Sequence, residues 1–285
     1  MNKNNVIPFL LTALLAALIH LLPADGAQPD YQIQNPQPLS PQQANKVKGP
    51  FWPELEITID SDRLTQLANT NHIELLEWAL QTYRKRVRDY SGTFYKQERI
   101  NGKLKKTEQI SIMFREKPFS IFMHWQKNAA RIDKMLYVEG QNDNKMVVHP
   151  TGFFSWFKSV KKDPTGKDAK KASLRSCDKF GFHRSMDSLL DIYKTANNKG
   201  DLKFKYLGRT KIDNRPCIAI ERILPKNKGY PNARMVIEID LEYLLPVSIA
   251  SYNWDNQLLA KYIFHNLKFN NGFTNAKFTP KYHGM

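Results

Sequence analysis

Residues 93–125 read TFYKQERINGKLKKTEQISIMFREKPFSIFMHW, and the character of the side chains along them alternates with a period of two. Asn101-Gly102 separates two such runs, 93–100 and 104–114. Both positions tolerate positive φ, so the pair predicts a two-residue hairpin turn. In the second run Ile110, Ile112 and Phe114 share one face. Pro118 breaks that run, and Phe119, Ile121, Met123 and Trp125 then lie on one side of a third. Working outward, 134–139 and 145–149 predict two more strands around the turn Gly140-Gln141-Asn142-Asp143-Asn144. Successive strands joined by short turns pair antiparallel.

Upstream the period becomes helical. Leu76, Leu80, Tyr83, Val87 and Tyr90 recur at steps of four and three, which predicts a helix over 71–90 with one apolar stripe. Asn71, followed three residues later by Glu74, reads as a capping box. Arg84, Lys85, Arg86 and Arg88 crowd the final turns, where cations suit the helix dipole. Downstream, 149–182 has no regular period, and a connection of that length exceeds an ordinary loop. Ser185 then caps a second helix over 186–196, with Leu189, Leu190 and Tyr193 as its stripe. Five strands follow, at 202–210, 215–224, 233–240, 246–253 and 258–269. The predicted class is α+β. Some ten meandering strands in one sheet curl strongly, and the two helices cover the concave face.

The ends and the composition bound the setting. Residues 1–27 open with one Lys, run almost wholly apolar from Val6 to Leu22 and close on small residues, the form of a cleaved secretory signal. An uncleaved anchor is the competing reading, because the apolar run nears the length that spans a bilayer. Residues 28–70, Gln- and Pro-rich at first, form a flexible leader, 71–270 the curved-sheet domain, and 271–285 a frayed tail. Export places the chain in the periplasm and takes nucleic acid out of reach. The net charge of +16 then favours anionic lipid surfaces. Cys177 and Cys217 allow two readings, a disulfide in an oxidising compartment or two buried thiols.

A run of motifs adds a resemblance. Tyr90-Ser91-Gly92-Thr93-Phe94-Tyr95-Lys96-Gln97-Glu98-Arg99, then Phe114-Arg115-Glu116-Lys117-Pro118-Phe119-Ser120 with Trp125, then Leu136-Tyr137-Val138-Glu139-Gly140-Gln141-Asn142, then Val148-His149-Pro150-Thr151-Gly152 resemble the bacterial domain-of-unknown-function family numbered 1571. The plan is more distantly similar to the periplasmic lipoprotein carriers, the LolA-like superfamily. Arg115, Pro118 and Trp125 echo a strand motif of that group. That second resemblance implies an unclosed barrel whose helices lid an apolar cavity for acyl chains.

The residues themselves offer no catalytic constellation. The histidines are single, the cysteines lack metal-ligand spacing, and no nucleophile elbow or phosphate-cradling loop is present. His149 and Glu98 are the best isolated candidates for chemistry. For His149 the commoner role is a structural hydrogen bond, and for Glu98 with Arg99 a cross-strand pair. The reading is therefore a non-catalytic, monomeric protein without cofactor or metal. Its expected ligand is a lipid or the acyl chain of a lipoprotein. The predicted lining is Leu80, Tyr83, Phe114, Ile121 and Met123, with Trp125, Met135, Tyr137, Ile237 and Ile249. Methionines and aromatics adapt to flexible guests, and a barrel of this size commonly encloses ligand space. The alternative is an envelope scaffold with a filled core. Phe153, Phe154, Trp156 and Phe157, followed by Lys161 and Lys162, are candidates for contact with a membrane or partner.

Overall fold

Asn71 caps a helix as its sequence predicts. Its side-chain carbonyl accepts from the Glu74 backbone N–H at 3.1 Å, and its amide donates to Glu74 Oε2 at 3.3 Å. The structure, a computed structural model, describes residues 61–152, 156 and 159–285. The signal, most of the leader, and Phe153, Phe154 and Phe157 lie outside those residues. Within them, Ser61–Thr70 forms helix α1, with Leu64, Leu67 and Ala68 buried. The end of the expected leader is thus an ordered helix. Helix α2, His72–Arg86, follows directly.

The predicted stripe on α2 is buried throughout, but the helix stops four residues early. Val87 is extended, and Asp89–Ile100 is already strand β1. Val87 and Tyr90 keep their inward positions because the chain turns over the same core. A short β2, Lys103–Leu104, pairs back on β1 across the Asn101-Gly102 turn. Then come β3, Glu108–Arg115, β4, Ser120–Lys127, β5, Ile132–Val138, β6, Met146–Pro150, and β7, Val160–Lys162. A segment carrying helix α3, Lys167–Ala172, leads to α4, Phe182–Asn198. Helix α4 starts a turn before the predicted Ser185 cap, at Gly181. There φ is 98°, and an added Cβ would stand 2.7 Å from Phe114 Cζ. Only glycine permits that approach.

The second meander is β8, Lys203–Ile212, β9, Arg215–Ile223, β10, Arg234–Asp240, β11, Leu245–Tyr252, and β12, Leu258–Phe269. All strands belong to one 12-stranded antiparallel sheet, ordered β7-β6-β5-β4-β3-β1-β12-β11-β10-β9-β8, with β2 beside β1. The two meanders join where the first long strand meets the last. Tyr90 lies opposite Phe269, and Glu98 opposite Ala260. The sheet is unclosed, with β7 and β8 as its edges. Bulges at Gly92, near Ile110 and near Tyr252, among others, bend its strands. Both edges are lysine-rich, Lys161 and Lys162 on one, Lys203, Lys205 and Lys211 on the other. Such charges discourage strand addition.

Helices α2 and α4 pack together over the inner face. Lys194 pairs with Glu77 at 2.6 Å, and Arg84 with Asp187 at 2.9 Å. Beneath them Tyr83, Tyr90, Phe114, Phe182, Leu189 and Ile237 form a continuous buried core. The C-terminal stretch is docked, not frayed. Phe278 is buried against Phe122, Leu136 and Val138, and His283 stacks on Phe122 at 3.4 Å. This second cluster lies on the opposite, convex face, because Phe122 and Leu136 alternate with the inward Met123 and Met135.

Candidate functional site

The inner face is not filled along its whole length. On β1 the inward positions run Tyr90, Phe94, Lys96, Glu98. On β3, which runs the other way, they run Phe114, Ile112, Ile110, Glu108. Helices α2 and α4 cover the Tyr90–Phe114 end. At the other end a hollow of about 1000 Å³ opens to solvent. A group of aromatic rings divides the two ends: Phe182 sits 5.2 Å from Tyr90 and 4.7 Å from Phe264, and Phe180 lies edge-on to Phe94 at 5.4 Å.

This division sorts the predicted lining. Met123, Trp125, Met135 and Ile249 face the hollow. Phe114, Ile121 and Tyr137 sit further along the same strands, under the helices. Leu80 and Tyr83 lie on α2 and, like Ile237, are sealed in the core. These six do not line the hollow. Period two places a side chain on the correct face, but it says nothing of how far along a strand the covering helices reach. Phe94, Ile110, Val148 and Phe264 complete the apolar floor, with Phe180 contributed by the segment after α3.

One wall is polar and internally satisfied. Lys96 Nζ lies 3.1 Å from Glu108 and 3.7 Å from Glu98, and all three side chains are largely buried. Trp125 Nε1 donates to Glu108 at 2.8 Å. Glu98 accepts from the Tyr262 hydroxyl at 2.5 Å, the Ser173 hydroxyl at 3.1 Å and the Leu174 backbone N–H at 3.2 Å. Burial, and then the adjacent Glu98 carboxylate, raises the Tyr262 phenol far above its ordinary range. A carboxylate so occupied ties β1 to β12 and to the covering segment. It has little free capacity for acid–base work. Glu98 therefore pairs with Lys96 and not with Arg99, whose guanidinium donates to the Leu258 and Gly102 carbonyls. Lys96 shares a face with Phe94 and Glu98 in the sequence, so period two contained this signal.

The covering segment, 163–181, closes the hollow from the side facing β6 and β7. Cys177 Sγ lies 3.9 Å from Met146 Sδ, and Lys162 pairs with Asp168 at 2.8 Å. Both cysteines are free. Burial pushes the Cys177 thiol up to about 12, so it is not a ready nucleophile. His149 holds Asp133 Oδ1 at 2.7 Å through Nδ1, the structural hydrogen bond that its sequence position suggested. Trp156 is exposed, and Val160 is exposed with Lys161 and Lys162 on the β7 edge.

The family model described as "Protein of unknown function (DUF1571)" matches residues 87–283. The chain belongs to that family. A comparison with curated proteins gives no match. Among solved structures the chain is similar to the Pseudomonas aeruginosa MucA/MucB complex, at 14% identity and a TM-score of 0.42, covering 72% of this chain and 60% of that one. It is also similar to a putative outer membrane lipoprotein-sorting protein domain from Vibrio parahaemolyticus (11% identity, TM-score 0.35, 73% and 98% covered). A LolA superfamily protein from Nitrosomonas europaea is a third (8%, 0.33, 73% and 98%). The match with MucB spans less than two thirds of that protein's length.

Proposed function

We propose that this DUF1571 chain is an exported, non-catalytic envelope protein that holds a hydrophobic ligand, a lipid or the acyl chain of a lipoprotein, in the hollow. The observation that carries the reading is an apolar floor bordering a hollow that opens to solvent, covered in part by the 163–181 segment through Phe180. Phe94, Ile110, Met123, Met135 and Ile249 line space of about 1000 Å³, the upper end of the roughly 300–1,000 Å³ usual for ligand sites. Each methylene moved from water to such a floor contributes about 0.8 kcal/mol, so the gain grows with the length of acyl chain laid on it. The setting rests on the signal-like residues 1–27.

Organic extraction of natively purified protein, followed by mass spectrometry, tests the reading. A lipid should be recovered in stoichiometric amount, and Trp125→Asp should remove it, since a second carboxylate would then face Glu108 across the floor. If extraction yields nothing, and a neutral fluorophore such as N-phenylnaphthylamine fails to brighten with the purified protein, the hollow is not a lipid site. The envelope-scaffold reading would then replace it.

A further inference from the structure

The rim of the hollow differs in charge from its wall. Inside, Glu98 and Glu108 share Lys96, while at the rim the exposed Asp168 pairs with Lys162 and feels the charges of Lys171 and Arg131. Outside, Lys105, Lys106, Arg131, Lys171, Arg175 and Lys179 all border the hollow and are exposed. Among the described residues none of them lies within ion-pair distance of a carboxylate. They come from separate elements: the β2–β3 loop, the β4–β5 loop, and the covering segment from α3 onward. The fold thus gathers an excess of cations around the mouth of an apolar space, with Asp168 the one exposed acid among the described residues bordering it. Cations scattered over a surface for solubility would not require that placement. A low-dielectric wall beside such a ring focuses its field on the opening.

Resting on the lipid-binding reading, we propose that the ligand is an anionic amphiphile. Its carboxylate or phosphate head lies at the rim among Arg131, Lys171 and the neighbouring lysines, while its chain lies on the Phe94–Met123–Met135 floor. The head stays at the mouth because the wall beneath already holds two carboxylates, Glu98 and Glu108, against the single ammonium of Lys96. A third anion buried there would be repelled. Guanidinium and ammonium groups at the rim supply charge-assisted hydrogen bonds to either head chemistry.

Displacement of N-phenylnaphthylamine from the full chain tests this. Myristic acid should compete about tenfold better at low salt than its methyl ester, the sum of several modest exposed ion pairs. The margin should shrink as salt is added. Phosphatidylglycerol against phosphatidylcholine, matched in chain length, tests net charge at a phosphate head, because both carry the phosphodiester and only the second offsets it with choline. A preference there shows that a phosphate head is accepted. The double change Arg131→Glu with Lys171→Glu alters only exposed side chains. It should erase the preference for the acid while leaving the fluorophore bound. Equal competition by acid and ester together with equal competition by both phospholipids would overturn the inference and leave the lipid-binding reading intact. No fluorophore binding at all would overturn both.

Discussion

His72 shows how a single side chain links burial to pH. It opens α2, is 1% exposed, and faces Phe204 at 4.4 Å and Tyr193 at 6.1 Å. Nε2 lies 2.7 Å from the Ala68 carbonyl, which can only accept, so Nε2 carries the proton and Nδ1 is left without a partner. Burial lowers the imidazole from 6.5 to about 4, against the hydrogen bond to Ala68, which favours the charged form. Above pH 6.5 both folded and unfolded chains hold the ring neutral, and its contribution is complete. As pH falls from 6.5 towards 4 the unfolded chain takes up a proton that the folded one refuses, so stability is lost. The loss is on the order of 3 kcal/mol. Urea midpoints measured across that interval should fall more steeply for the wild type than for His72→Gln, which keeps a donor towards Ala68. Parallel declines would show that the ring titrates no differently in the two states.

At the scale of elements, the start of α4 decides where the core ends and the hollow begins. Gly181 lets Phe114 lie against the backbone while Phe180 turns towards the hollow and Phe182 towards the helices. Gly181→Ala meets both a φ of 98° and a ring atom at 2.7 Å. It should destabilise the protein by about 2–3 kcal/mol, read as a lower urea midpoint with an unchanged slope. A change below a few tenths would mean that the ring and backbone part easily. The same junction separates what the sequence disclosed from what it did not. Alternation marked the strands, their inward faces and the Asn101-Gly102 turn, because those depend on neighbours in the chain. The Asn71–Glu74 cap was equally local. The pairing of β1 with β12 brings together residues some 170 apart along the chain, and no local pattern records it. Nor does one record how far α2 and α4 extend over the strands, which is why Phe114, Ile121 and Tyr137 were expected in the lining and lie in the core instead.

For the whole molecule, the fold joins two meanders at their first and last strands and sends the connection from one edge, β7, to the other, β8. That connection must cross the open side of the sheet. Its α4 half packs on α2 and fills the space, whereas its 163–181 half covers the rest through a few polar ties, chiefly Ser173 and Leu174 to Glu98. One end therefore supplies stability, and the other keeps an unfilled volume that an ordinary core would not retain. Filling that volume should separate the two properties. Ile249 on β11 faces the hollow and is partly exposed, so a larger side chain has room there. Ile249→Trp buries further apolar area against Phe264 and Tyr262 without displacing a core residue. Stability should hold or rise by about 1 kcal/mol, while N-phenylnaphthylamine binding falls at least severalfold. A variant that loses stability while binding the fluorophore as well as before would show that the hollow is not where the ligand sits. It would also show that the aromatic division between Phe180 and Phe264 closes a core rather than bounding a site.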